Sequence, residues 1–157
     1  MDERLKKQLA FALEIDKEKN IFRQTHLSGH GRNENDAEHA WHMAIMTVLL
    51  ALENCSMDET VTFSENAVFS IERGSSHIAR TTDEELTMEQ CLYAIMLESA
   101  NEVCLAVAEH ISGSISNFVG LMNKRVKDLG LKDTHFNNPN GLPDPKHYTT
   151  AYDMAVI

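Results

Sequence analysis

The sequence predicts a mainly α fold with at most minor short strands, and three observations carry that reading. Apolar residues recur at helical spacing in segment after segment, and several of those segments carry capping residues at their ends. The stretches with strand character, Val61 to Phe63 and His77 to Ala79, are only a few residues long. All three prolines fall within one irregular stretch near the C-terminus, which leaves the helical segments uninterrupted.

Taken in order, residues 3 to 18 read as a helix with Leu5, Leu9, Ala12 and Leu13 on one face. Asn20 to Asn35 contains Ser28, Gly29 and Gly31 and reads as a loop. Asp36 can cap a second helix running to about Asn54. Ser64 to Ile71 reads as a short helix closed by Gly74. Thr87 and Gln90 have the spacing of a capping box ahead of Leu92, Ala94, Ile95 and Leu97. Residues 101 to 112 continue as an apolar helix ending at Gly113. Ser114 or Ser116 caps another helix to Leu129, with Gly130 suited to the position just past its end. Residues 137 to 148 form the irregular stretch, and a last helix starts near Thr149 or Thr150 with Asp153 in its first turn. That helix is cut short at Ile157, which implies a missing downstream partner and uncovered apolar faces able to support a homo-oligomer.

Composition narrows the function classes. The 157 residues suit one domain or slightly more, and 14 basic against 24 acidic side chains give a formal net charge of −10. Nucleic acid is therefore not an expected partner, since phosphate binding needs clustered Lys and Arg; Lys124, Arg125 and Lys127 read as a solvated helix face. Cys55, Cys91 and Cys104 lack metal-knuckle or disulfide spacing and read as buried free thiols. Met1 to Lys7 is charged with no apolar signal core after it, and the longest apolar run, Ala44 to Leu52, is too short for a bilayer. As written, the chain is expected to be cytoplasmic, with no membrane contact.

Two segments carry recognisable chemistry. In R-N-E-N-D-A-E-H-A-W-H, Arg32 to His42, the histidines His39 and His42 share a helix face and could contribute to a divalent-metal site, which needs at least three protein ligands. A polar helix start that merely contains histidines is the other reading. Residues 1 to about 44, including K-N-I-F-R-Q-T, resemble the opening helices of HD-domain phosphohydrolases of the 5′-deoxynucleotidase group. That resemblance implies a divalent metal as cofactor, with His39 a metal ligand and Arg23 a contact to substrate phosphate. It also requires a later His-Asp pair, and no His-Asp dipeptide occurs in the chain, so the metal site is incomplete.

From Ile45 to Ile157 the markers are I-M-T-V-L-L-A-L-E-N, G-S-S-H-I, E-E-L-T-M-E-Q, L-E-S-A-N-E, A-E-H-I-S-G-S, L-G-L-K-D-T-H-F-N-N-P-N-G-L and H-Y-T-T-A-Y-D-M-A. This ordered set resembles the D-alanyl-D-alanine carboxypeptidases, the low-molecular-weight penicillin-binding proteins of peptidase family S11. The resemblance implies an exported serine hydrolase that needs no cofactor, and the helical part of a β-lactamase/transpeptidase-like fold. Such enzymes use Ser-x-x-Lys, Ser-x-Asn and Lys-Thr-Gly motifs. Ser99, Ala100 and Asn101 match the second, which makes Ser99 and Asn101 the candidate catalytic residues; spacing alone equally allows Ser99 as a helix N-cap. Trp41 and Ala44 occupy the serine and lysine places of the first motif, and no Lys-Thr-Gly occurs. The two resemblances meet within one helix near residues 44 to 46, dividing the chain into segments 1–44 and 45–157. The chain therefore reads as chimera-like: an inactive fragment resembling a serine D-alanyl-D-alanine carboxypeptidase, with an HD-type metal-dependent nucleotide phosphohydrolase fragment or a non-enzymatic recombinant helical protein as the alternatives.

Overall fold

The computed structural model describes residues 22–26, 33–35, 46–142 and 144–157. The chain divides into two compact units, Met1–Trp41 and His42–Ile157. The helix expected over residues 3 to 18 lies outside the described residues, as do His39, Trp41, His42 and Ala44.

In the first unit β1 (Phe22–His26) pairs antiparallel with β2 (Asn33–Asn35). Phe22 faces Asn35 and His26 faces Asn33, with a register shift between them. This corrects the loop expected over Asn20 to Asn35. Glycine and serine between two short runs signal a hairpin connection as readily as a loop, and Phe22 and Thr25 favour extended backbone.

The second unit is built around one helix. It opens on α1, helical over residues 46–54, followed by β3 (Thr60–Thr62) and α2 (Glu65–Phe69). Next come β4 (Glu85–Thr87), α3 (Met88–Glu98), α4 (Asn101–Ser112), α5 (Ile115–Asp128) and α6 (Ala151–Val156). Every residue of α4 from Asn101 to Ala108 is buried, as expected for a helix apolar nearly all round. One side of it packs in a cluster with Ala51, Val61, Phe63, Ala67, Met88, Cys91 and Ile95. Ala108 belongs to a second cluster with Met46, Leu50, Phe118, Met122, Val126, Leu131 and Phe136.

Local chemistry sets the element ends. Thr87 and Gln90 form the reciprocal capping box expected of them at the start of α3. Ser114 caps α5 by accepting from the Asn117 amide, and Thr150 caps α6 by accepting from Asp153. Ser64 caps α2, which ends at Phe69, two residues short of the expected Ile71. At the end of α5 the Gly130 amide donates to Lys127 and the Leu131 amide to Val126, a Schellman arrangement with Gly130 left-handed at φ +74°.

The strands need one correction. Residues 77–79 form no strand; the partner of β3 is β4, with Val61 opposite Leu86. Ala79 takes φ +57°, which breaks extended backbone, and the Ile78 amide donates to the Glu102 carboxylate at 2.7 Å. The C-terminal stretch is anchored by side chains. The Thr47 hydroxyl donates to the Pro139 carbonyl, and Asp153 accepts from the Asp133 amide and the Thr134 hydroxyl. Cys91 and Cys104 are buried free thiols as expected, whereas Cys55 is only partly buried because it lies just beyond α1.

Candidate active site

The corner between α3 and α4 assembles the second-motif residues. Ser99 closes α3 in a left-handed conformation, φ +51° and ψ +40°, with its amide donating to the Ala94 carbonyl. Ala100 is extended, and Asn101 begins α4. Ser99 is therefore the C-cap of the helix before it; the N-cap alternative is wrong, because Ala100 holds the N-cap place of α4 and contributes no side-chain bond. The turn leaves the Ser99 side chain half-buried, while Ala100 and Asn101 go into the core.

The Asn101 amide group is locked from two directions. Its Nδ2 donates to the Ser76 carbonyl at 2.8 Å and to the Ser99 carbonyl at 3.2 Å. Its backbone amide also donates to Ser76, and the Ser76 hydroxyl donates to the Glu98 carbonyl at 2.6 Å. Segment 76–78 is thus stitched to both sides of the corner, with Glu102 holding Ile78. Asn101 is 2% exposed and Glu102 1%. Asn101 Oδ1 and Glu102 Oε2 are buried with no hydrogen-bond partner among the described residues. Each such atom costs about 1–3 kcal/mol of lost hydration, so a donor reaching Asn101 Oδ1 would be bound strongly. The corner can present one serine hydroxyl beside a rigid amide.

Ser76 and Glu102 were not singled out from the sequence as positioning residues. Glu102 follows the Ser-x-Asn directly, and an acid at the first turn of an apolar helix was the available signal. Arg23 lies on β1, in the other unit, and His39 lies outside the described residues.

The sequence profile of the family described as D-alanyl-D-alanine carboxypeptidase, peptidase S11, matches residues 31–157. The chain belongs to this family. The match opens upstream of Ile45, where the sequence reading places the junction between its two resemblances. Over 118 residues the chain is 43% identical to the D-alanyl-D-alanine carboxypeptidase DacF of Bacillus subtilis, covering 72% of this chain and 30% of that protein. It is 37% identical over 117 residues to DacA of Haemophilus influenzae, covering 73% and 30%. The chain thus spans about a third or less of the length of these curated relatives. Penicillin binding protein 6B from Escherichia coli superposes with a TM-score of 0.68 at 27% identity, covering 74% of this chain and 39% of that one. Penicillin binding protein 5 from Haemophilus influenzae gives 0.64 at 33% identity, covering 75% and 34%. These neighbours have the penicillin-binding protein fold, which the matched part of this chain shares.

Proposed function

We propose that this chain is a segment of a serine D-alanyl-D-alanine carboxypeptidase that keeps the second-motif corner and catalyses no peptide hydrolysis by itself. The corner itself carries the reading: Ser99 on a left-handed turn, with Asn101 fastened to Ser76. In the full reaction a serine hydroxyl attacks the peptide carbonyl, the terminal residue leaves, and water hydrolyses the acyl ester. That attack needs a nucleophile with a base one helical turn away, and Trp41 and Ala44 supply neither. No Lys-Thr-Gly is present to bind the substrate's terminal carboxylate. Ser99 serves in this reading as a relay hydroxyl and Asn101 as an orienting amide. No cofactor enters the chemistry.

A fluorescent penicillin tests this, because the drug acylates the nucleophilic serine of a working site. The expected result is no covalent adduct by intact-mass spectrometry, beside a full-length relative that labels to completion. A stable adduct would overturn the claim that the chain has no nucleophile.

Residues 1–44 we read as HD-type in origin, on the strength of R-N-E-N-D-A-E-H-A-W-H. With no His-Asp pair in the sequence to complete a metal site with His39, the reading assigns that segment, Arg23 included, no reaction. The chain is a joined, non-enzymatic protein in this account, with self-association through exposed apolar side chains.

A further inference from the structure

Away from the α3–α4 corner, three metal-ligating side chains of different chemistry meet. Cys55 follows α1, Glu59 precedes β3, and His110 lies in the last turn of α4. The Cys55 sulfur, a Glu59 carboxylate oxygen and a His110 ring nitrogen all lie within 4.8 Å of one another, the one such cluster of three among the described residues. His110 Nε2 is 3.3 Å from Glu59 Oε1. The Ser56 amide donates to the other oxygen, Oε2, at 3.1 Å, which fixes the carboxylate's rotation and leaves Oε1 toward the histidine.

The backbone beneath these side chains is fixed. The Cys55 amide donates to Ala51 at 2.9 Å, and the Glu59 carbonyl accepts from Met88 at 2.8 Å. His110 rides on the helix around which the core is built. Ligands on supported elements need little reorganisation to close on an ion.

Zinc binds cysteine sulfur at about 2.3 Å and nitrogen or carboxylate oxygen at about 2.0–2.2 Å, so its tetrahedral ligand atoms stand ~3.5 Å apart. The His110–Glu59 edge, at 3.3 Å, already has that length, and the remaining edges, within 4.8 Å, need a contraction of at most ~1.3 Å to reach it, within rotamer adjustment. One sulfur, one nitrogen and one oxygen suit a borderline-soft divalent ion and disfavour magnesium and calcium, which take oxygen ligands.

We propose that Cys55, Glu59 and His110 bind a zinc-class divalent ion, with water as the fourth ligand. Binding breaks the S–H bond, forms the metal–sulfur bond and releases one proton to solvent. The thiolate and the carboxylate then balance the two positive charges of the ion. Burial, helped by Glu59, pushes the Cys55 thiol up, so the metal has to compete with that proton. Without an ion the His110 ring nitrogen and the Glu59 carboxylate still lie 3.3 Å apart, and a bare polar contact is the arrangement the experiment must separate from a site.

The test is a cobalt titration of the whole chain under reducing conditions, followed by zinc competition. One equivalent should produce near-ultraviolet thiolate-to-cobalt charge-transfer absorption, and zinc should abolish it. Cys55→Ser should remove the absorption, and His110→Gln or Glu59→Gln should weaken cobalt binding by about 100-fold, at or above the loss typical of supporting residues. Circular dichroism without metal establishes that each variant is folded, and Glu59→Gln keeps an acceptor for Ser56. Absence of the charge-transfer band in the parent chain, its survival in Cys55→Ser, or unchanged affinity in the folded His110→Gln protein would overturn the proposal.

Discussion

Ser99 adopts a backbone conformation that costs a non-glycine residue about 1–2 kcal/mol, and it shares this with Ala79 and Asp83. Such strain persists where surrounding bonds over-determine the chain. At Ser99 these are the Ala94 carbonyl behind it and the Asn101–Ser76–Glu98 bonds around it. The motif made Ser99 and Asn101 legible as a pair, but nothing in S-A-N announces a left-handed turn or names Ser76 as its anchor. The Cys55 cluster was equally invisible, because two of its members are four residues apart and the third comes from a distant helix. The buried thiols carry a residue-scale prediction. Burial raises Cys91 from 9.0 to about 12 and pushes Cys104 up still further. Above pH 9 these thiols lose protons in the unfolded chain but keep them in the folded one. Their stabilising contribution is therefore complete below about pH 9 and is lost as pH rises toward 12 through the folded value. Urea unfolding across that range should show stability falling by about 1.4 kcal/mol per pH unit for each thiol. In Cys91→Ala the decline should be shallower by one thiol's share, from a lower starting stability; an unchanged slope would remove Cys91 from the account.

Elements were the most legible scale, and the reason is local chemistry. The Thr87–Gln90 box, the Ser114 and Thr150 caps and the Gly130 terminus depend on neighbours within a turn, so sequence order contains the information. Strand pairing does not: β3 needed β4, 25 residues downstream of Thr60 at Glu85, and the Ile78 amide was claimed by Glu102 instead. Two glycines of one helix separate local conformation from packing. A methyl group at either Gly120 or Gly130 would meet nothing within 4 Å, so packing is silent at both. Gly120 sits within α5, where alanine is the better helix former, and Gly120→Ala should stabilise by about 0.5–1 kcal/mol. Gly130 is left-handed at φ +74°, and Gly130→Ala should destabilise by about 1 kcal/mol, with Gly130→Asn losing less. Thermal melts of the three variants decide it. Shifts of the same sign at 120 and 130 would mean that the Schellman terminus does not hold α5.

At the scale of the whole molecule, α4 explains why this segment has a core of its own. Buried from Asn101 to Ala108, it is covered on one side by α2, α3 and the β3–β4 pair, and on the other by α5. The periodicity of the sequence could not show this, since a helix apolar all round has no face to orient it. Large apolar side chains nevertheless remain outside: Leu97 and Phe69 are each 73% exposed, Tyr93 60% and Leu52 54%. Tyr93 and Leu97 stand one turn apart on α3, so they form a pair on one helix face. Among the described residues no helix is long and apolar enough to cross a membrane. We propose that this exposed pair supports association with a second copy, because each contact removes hydrocarbon from water at both surfaces. Sedimentation velocity across a concentration series should show a dimer or larger species growing with concentration. The double variant Tyr93→Lys/Leu97→Lys should shift that equilibrium toward monomer by about 10-fold or more, since each lysine replaces buried hydrocarbon with a charge that must be desolvated. A parent chain that stays monomeric throughout the series, or a folded double variant that associates as before, would move the contact away from α3.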